Sequence, residues 1–553
     1  MTASDAFSEY YAELVQGSYD CVDRIVLNAY FPLGQTGGGM RSWWRALHGD
    51  DATLDDEHLR EMAGSFSRRL HGFCVKNAIP IIEAQAHERK HELAEPHLPE
   101  DPNASGLFLV IKGNAPAPTW EVKRNEAGKI IEIRHRKNWP YVRHFYFHIV
   151  DREWGHVTIR ICGYPPFGAQ VILNGHERVE RQARRNRLAV VKQGNCFIEG
   201  SDFSGIDQLA TEFNRDGTTW LLRELCERWI YSTCLCFALP HDDRRRSRFQ
   251  YQYSIFQLEL SRNLLFHRGT TMNEVYQRLI DRTRAPLALD QVKTIFGFPY
   301  RPHQISKQGH KPTEVSKAVQ AKRYDLTVFK IKWENLTLKI YDKGARILRI
   351  EVVVHNAKDL RCGRVLDRLP ALLTRMKDML VRFLDTVQAA HVSFLTTTAL
   401  EDLTEPTIRG TRRLAGIDLN KVRNRLVADA IIHLATSPNG FTVAQLAETV
   451  RRRSGQDATP YSVRNAAYDA AKMVGKMLIH RIQRSRRYTA DPTAIQTLCA
   501  HLLLREKVIK PLLSGVTRPR GRPPKSRTAL DQHYITLQEE LRRTFQTIGI
   551  ATA

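Results

Sequence analysis

The chain has 553 residues, 42% of them hydrophobic, enough for real cores and for three or four domains. Lys and Arg number 83 against 59 Asp and Glu; the formal charge of +24 excludes a polyanion-repelling surface and makes nucleic acid the expected partner. No run of eighteen apolar residues exists, so no membrane span is expected, and MTASDAFSEYYAELV lacks the basic start and apolar core of a signal peptide.

The early segments alternate helix and strand. Residues 1–20 read as a short helix, and DRIVLNAYFPLGQTGGGM (23–40) as a strand followed by a Gly-rich loop. That loop lacks the GK[ST] of a P-loop and the spacing of a dinucleotide fingerprint, so it predicts no nucleotide site. TLDDEHLREMAGSFSRRLHGFCVKNA (53–78) predicts an amphipathic helix, acidic first and basic last. IPIIEA (79–84) predicts a strand. His87-Glu-Arg-Lys-His91 matches the H-E-x-x-H zinc pattern in letter only, because its variable positions are charged and Pro96 follows closely.

YVRHFYFHIVDREWGHVTIRICG (141–163) predicts a hairpin with one apolar face and one His/Tyr/Arg face. His144, Tyr146 and His148 lie on the second face, with His156 and Arg160 opposite. His144 and His148 stand at i, i+4, about 13 Å apart at ~3.3 Å per residue, so one metal cannot bridge them. His148 and His156 form a diagonal pair that could share a metal. The same face also suits stacking of unpaired bases, with Tyr146 and Arg160 as contacts. Asn174-Gly175-His176 reads as a tight turn. ERVERQARRNRL (177–188) predicts a basic helix, and its Arg181, Arg184 and Arg185 are candidate nucleic-acid contacts.

Residues 207–237 read as helical, HDDRRRSRF (241–249) as a charged break, and both SIFQLELSRNLLF and MNEVYQRLIDRT as helices. PYRPHQISKQGHKPTE (299–314) is a loop. LTLKIYDKGARILRIEVVV (336–354) predicts a second hairpin, turned by a KGA loop at Gly344. Its register puts Leu338, Ile340, Leu348 and Ile350 on one face and Lys339, Tyr341, Arg349 and Glu351 on the other. Residues 366–396 predict a long helix, and no internal repeat stands out.

From about 420 the pattern is helix, helix, helix, basic hairpin: VRNRLVADAIIHLATSPNG, FTVAQLAETVRRRSG, ATPYSVRNAAYDAAKMVGKM, LIHRIQRSRRYTADPT. This order resembles a winged helix-turn-helix. The resemblance implies a recognition helix with Tyr461, Ser462, Arg464 and Asn465 at its base-reading end, and a wing with Arg484, Arg486 and Arg487 on phosphates. Further on, Pro519-Arg520-Gly521-Arg522-Pro523 resembles an AT-hook. There Gly521 lets the backbone lie deep in a narrow minor groove, with Arg520 and Arg522 in its negative potential.

KIYDKGARILRIEV loosely resembles a segment of plasmid and phage replication initiators. The resemblance implies Tyr341 as a nucleophile, Lys343 and Arg349 on phosphate oxygens, and Glu351 as base or metal ligand. A divalent metal, Mg²⁺ or Mn²⁺, is then the expected cofactor. On the residues alone, the same hairpin is an ordinary sheet element with a cross-strand Lys339–Glu351 pair.

The sequence thus predicts an α+β multidomain protein with mixed or antiparallel sheets. The expected domains are 1–240, 241–400 with the second hairpin, a winged helix at 401–505, and an AT-hook tail with a terminal helix at 506–553. Nine scattered cysteines, with no zinc spacing, read as reduced thiols, and the expected location is cytoplasmic and nucleoid-associated. The leading function is DNA recognition coupled to strand cleavage or transfer, in a mobile-element or replicon protein. The alternatives are a non-enzymatic DNA-binding regulator and an RNA-binding protein.

Overall fold

Alternation of apolar and polar residues sets the two faces of one large sheet. A computed structural model describes residues 5–101, 103–214, 217–283, 292–295, 326–333, 336–343, 346–391, 403–409, 411–454, 461–506 and 529–547. The sheet strands are β1 (Val15–Tyr30), β2 (Ile81–Glu83), β3 (Gly106–Pro116), β4 (Tyr141–Asp151), β5 (Gly155–Cys162) and β6 (Ala169–Leu173). They continue with β7 (Gln252–Phe266), β8 (Val292–Ile295), β9 (Leu326–Trp333), β10 (Leu336–Asp342) and β11 (Ile347–Val354). Eleven strands lie in the order β8-β9-β10-β11-β7-β1-β6-β5-β4-β3-β2. The fold is α+β, as expected.

The order is palindromic about the antiparallel β1–β7 pair. On each side a long strand pairs with the last strand of a three-strand meander, β4-β5-β6 on one side and β9-β10-β11 on the other. One apolar row crosses the centre: Ile149, Val157, Leu173, Ile25, Leu258, Val354 and Leu336, each opposite the next. This near-repeat is one of strand order, carried by different residues, so sequence periodicity does not display it.

SIFQLELSRNLLF, read above as a helix, is most of the fifteen-residue strand β7. It pairs with β1 on one side and β11 on the other, and its C-terminal residues are buried throughout. A strand covered on both faces reads as a continuous apolar run, which hides its period of two. The expected boundary at 240 therefore falls between strands that pair in one sheet. The short helix expected in residues 1–20 is present over Ala6–Tyr10, but β1 already starts at Val15.

The helices follow local signals. In α1 (Gly37–His48), Thr36 is the N-cap and its side chain accepts from the Gly39 N–H. The glycines expected in a loop form the first turn of this helix. A Cβ at Gly37 would stand 2.1 Å from the Ile133 carbonyl oxygen, so glycine is required there. The long helix α2 (Asp56–Lys76) packs on the apolar sheet face, with Phe66 and Phe145 ring centroids 4.5 Å apart. The helices α3 (Gly175–Arg185) and α4 (Phe203–Thr211) lie against β1 on the polar face.

The chain divides into two compact units. One holds the large sheet, mainly residues 11–276 and 293–380; the other is mainly 381–553. The second unit contains α5 (Val422–Ala435), α6 (Val443–Ser454), α7 (Val463–Gly475), the hairpin β12 (Ile479–Arg481) and β13 (Tyr488–Ala490), and α8 (Pro492–Leu504). Phe441 bridges Tyr488 before α6 begins. Thr442 and Gln445 bond each other's backbone N–H, a capping box that fixes the start of α6. Among the described residues, no helix is long and apolar enough to cross a membrane.

Candidate active site and nucleic-acid interface

The second hairpin pairs in the expected register. Lys339 stands opposite Glu351 and Tyr341 opposite Arg349. These four side chains share the polar face with Ser261 and Asn263 of β7 and Tyr19 and Cys21 of β1. A register shift between Val22 and Arg24 brings Asp23 into the cluster. Gly344 and the rest of the turn tip lie outside the described residues.

The Tyr341 hydroxyl donates to Glu351 Oε2 at 3.2 Å, and Lys339 Nζ donates to the same oxygen at 3.0 Å. Lys343 donates to Asn195 Oδ1, and Arg349 donates to the Asn195 carbonyl oxygen at 2.6 Å. Arg349 is 0% exposed and paired with buried Asp23. It therefore contacts no phosphate in this arrangement; the role expected for it on the phosphate is replaced by one of positioning. Tyr341 and Lys343 are half-buried.

Burial pushes the Tyr341 phenol well above its ordinary pKa, with the Glu351 charge adding and Arg349 opposing. Burial would also raise Glu351, but Lys339 and Arg349 outweigh it and hold the carboxyl below its usual value. Burial, then Arg349, lowers the Lys343 ammonium to about 8. The cluster thus holds a protonated phenol, an ionised carboxylate that accepts its hydrogen bond, and an ammonium that loses its proton readily.

A cleft of about 820 Å³ adjoins the cluster and is lined by Asp23, Arg24, His148, Lys192, Asn195 and Glu259, among others. His148 and His156 both line it. They form the expected diagonal pair, with His148 Nδ1 3.0 Å from His156 Nε2 and 3.2 Å from Thr158 Oγ1. His144 instead contacts the Val142 carbonyl oxygen at 3.1 Å. Burial holds all three imidazoles neutral, at about 4 for His144, about 3 for His148 and about 4 for His156. Among the described residues, no group of three or more His, Cys, Asp or Glu side chains stands at metal-binding spacing. The carboxylates near Tyr341 fit a cation poorly, because Lys339 holds Glu351 and Arg349 holds Asp23. His87 precedes the short helix Lys90–Ala94 while His91 lies within it, so they form no zinc pair on one helix face.

Tyr146 and Arg160 face each other across β4 and β5, with the guanidinium 5.8 Å from the ring centroid. Arg160 also bonds Gln170 at 3.3 Å. Both side chains are half-buried, so the ring is already stacked in part by protein. Arg184 and Arg185 are exposed on α3, and Arg181 is half-buried.

In the second unit the expected contacts divide. Tyr461 is buried, and its hydroxyl donates to Asp469 Oδ2 at 2.7 Å; it holds the helix in place and does not face solvent. Ser462 is the N-cap of α7, accepting from the Asn465 N–H. Arg464 is exposed and Asn465 half-buried. Arg484 and Arg486 are exposed on the β12–β13 turn, whereas Arg487 donates to the Gly440 carbonyl oxygen at 3.0 Å and anchors the turn. Arg520, Gly521 and Arg522 lie outside the described residues.

Sequence reading missed Asp23, Asn195 and Tyr468. Tyr468 is 47% exposed, one helical turn beyond Arg464 on the same face. Its i, i+4 spacing from Arg464 was a usable signal. Asp23 offered none, since Asp20 and Arg24 make it one of several charges along β1. Asn195 carries no local signal, since its role comes from tertiary approach. No family model matches the chain, and no curated protein or solved structure matches it.

Proposed function

We propose that this is a DNA-binding protein of the mobile-element or replicon kind, which couples duplex recognition by its C-terminal region to strand cleavage or transfer at Tyr341. The observation that carries the DNA reading is the arrangement of residues 422–490. Three helices and a hairpin follow in the order used by winged helix-turn-helix domains, with Arg464, Arg484 and Arg486 exposed. Among the described residues, none of these three arginines has an acidic partner. The AT-hook sequence around Gly521 adds a minor-groove contact.

The chemistry rests on the Tyr341 cluster. The Tyr341 oxygen attacks phosphorus, and Glu351 takes the phenolic proton. The bond from phosphorus to the leaving sugar oxygen breaks, and the Lys343 ammonium gives that oxygen a proton. The phosphodiester energy is kept in the tyrosine–phosphate bond for rejoining. Because the phenol is a far weaker acid than the carboxyl, the proton moves only as the oxygen–phosphorus bond forms. Arg349 holds Asn195, and through it Lys343, in place.

Fluorescence anisotropy with duplex DNA, single-stranded DNA and RNA of one sequence tests the recognition half. Tightest binding to duplex DNA, weakening as salt rises, is expected. Preference for RNA would overturn it in favour of an RNA-binding protein.

A further inference from the structure

We propose that a second nucleic-acid contact lies on the large-sheet unit: a recess that seats consecutive backbone phosphates. The inference rests on the DNA-binding reading above and adds a surface to it. The recess, about 520 Å³, is lined by Asn103, Arg152, Arg181, Arg184 and Arg185. Three of the arginines sit at i, i+3 and i+4 on α3 and so share one face of that helix. The fourth, Arg152, comes from the turn between β4 and β5, and the Arg185 guanidinium donates to its carbonyl oxygen at 3.2 Å. That bond ties the two elements together at the rim.

Basic residues in the last turn of a helix complement its dipole, which accounts for Arg184 and Arg185 taken alone. It does not account for Arg152, which belongs to another element. Nor is every arginine of α3 available. Arg178 is buried, stacked 4.6 Å over Trp154 and bonded to Glu153, and serves the core. The recess arginines are a separate set.

Their charge is only partly offset. Arg184 pairs with Glu180, but Glu180 is shared with Lys192, which also takes up Glu177. Even with Arg181 left out of the count, Arg152, Arg184, Arg185 and Lys192 outnumber the two carboxylates of Glu177 and Glu180, so the surplus is positive. Among the described residues, the lining contains no aromatic or aliphatic side chain for a base or sugar to pack on. What it recognises is phosphate. Planar guanidiniums in a row suit successive phosphates of one strand, which carry a charge at every ~3.4 Å of rise.

The test compares the full chain with its Arg152→Ala/Arg184→Ala/Arg185→Ala variant. Affinity for a duplex is measured by anisotropy over a salt series, with thermal unfolding followed to check the fold. The slope of log K against log salt is expected to fall by about 3, at ~0.9 for each phosphate no longer neutralised. Arg184→Ala alone, at an exposed site that leaves folding intact, is expected to lower it by about 1, and the triple Lys variant to keep it. An unchanged slope in the Ala variants, beside a lowered one in Arg484→Ala/Arg486→Ala, would overturn this inference and leave the DNA reading standing. A wild type with no salt-dependent DNA binding would overturn both. An ATP-induced thermal shift that the triple Ala variant loses, with its DNA slope unchanged, would assign the recess to a small oligophosphate instead.

Discussion

Arg349 on β11 reaches across the intervening strand β7 to pair with Asp23 on β1, and both side chains are fully buried. The bulge at Asp23 and the small Ser261 between them make the reach possible; Ser261 Oγ itself donates to Asp23 Oδ1 at 3.1 Å. Removing one partner of such a pair leaves a buried, uncompensated charge. Arg349→Met should therefore cost about 3–5 kcal/mol of stability, and Asp23→Asn a comparable amount. Replacing both at once should cost clearly less than the two single losses together. Urea unfolding of the four proteins in a double-mutant cycle measures this, and simple additivity would contradict a coupled pair.

The neutral imidazoles of His144, His148 and His156 make the large-sheet unit acid-sensitive. Unfolded histidine takes up a proton as pH falls through about 6.5, whereas these three resist until about 4, 3 and 4. Between those limits the unfolded state binds more protons, so stability falls with pH, by about 1.4 kcal/mol per pH unit for each proton. His148→Gln should reduce the proton uptake on unfolding at pH 5 by about one. The slope of unfolding free energy against pH reads this directly, and an equal slope in both proteins would contradict it.

Asn174-Gly175-His176 reads as a tight turn in the sequence, and the structure supplies its reason. Asn174 caps α3 by accepting from the His176 N–H at 3.0 Å, and a Cβ at Gly175 would sit 2.1 Å from the Val22 carbonyl oxygen. Gly175→Ala must push α3 off β1, and overpacking of this kind costs about 1–3 kcal/mol. A melting temperature equal to that of the wild type would show that α3 does not pack this closely.

How legible these features were depended on how local their causes are. Both hairpins were readable because period-two alternation and turn residues are written into adjacent positions, and the Lys339–Glu351 register followed from loop length. Strand β7 was misread because burial on both faces erases alternation. Thr36 and the glycines after it looked like a loop, since a helix that starts on glycine is required only by the Ile133 backbone it meets. Asp23 and Asn195 join the Tyr341 cluster from other elements, at separations no short-range pattern encodes. In the C-terminal region the helix order was legible, but Tyr461 was taken for a DNA contact. Its packing against Asp469 is a tertiary fact.

The division of roles in that region is itself testable. Arg464→Ala should cost about 1–3 kcal/mol in affinity and relax discrimination at one base pair. Arg484→Ala and Arg486→Ala should weaken binding uniformly across sequences, each lowering the salt slope by about 1. Tyr461→Phe should lower the melting temperature and leave DNA affinity intact at temperatures where the fold persists. Binding-site selection with each variant separates these outcomes, and equal site preferences for Arg464→Ala and wild type would remove Arg464 from base reading.

Strand cleavage should also carry the signature of Lys343. As the acid that protonates the leaving oxygen, it works only while charged, so the rate should fall as pH rises through about 8, approaching tenfold per unit. Lys343→Arg should move that decline to much higher pH. A flat profile up to about pH 10 would remove Lys343 from proton transfer.

Plasmid nicking gives the plainest test of chemistry at Tyr341. Supercoiled DNA carrying the coding sequence's own flanking DNA is incubated with the full chain, with and without Mg²⁺ or Mn²⁺, beside Tyr341→Phe. The expected result is nicked circles with protein covalently attached in the wild type, and none with the variant. Salt-sensitive binding with every circle left closed in both samples would contradict cleavage and leave a non-enzymatic DNA-binding regulator.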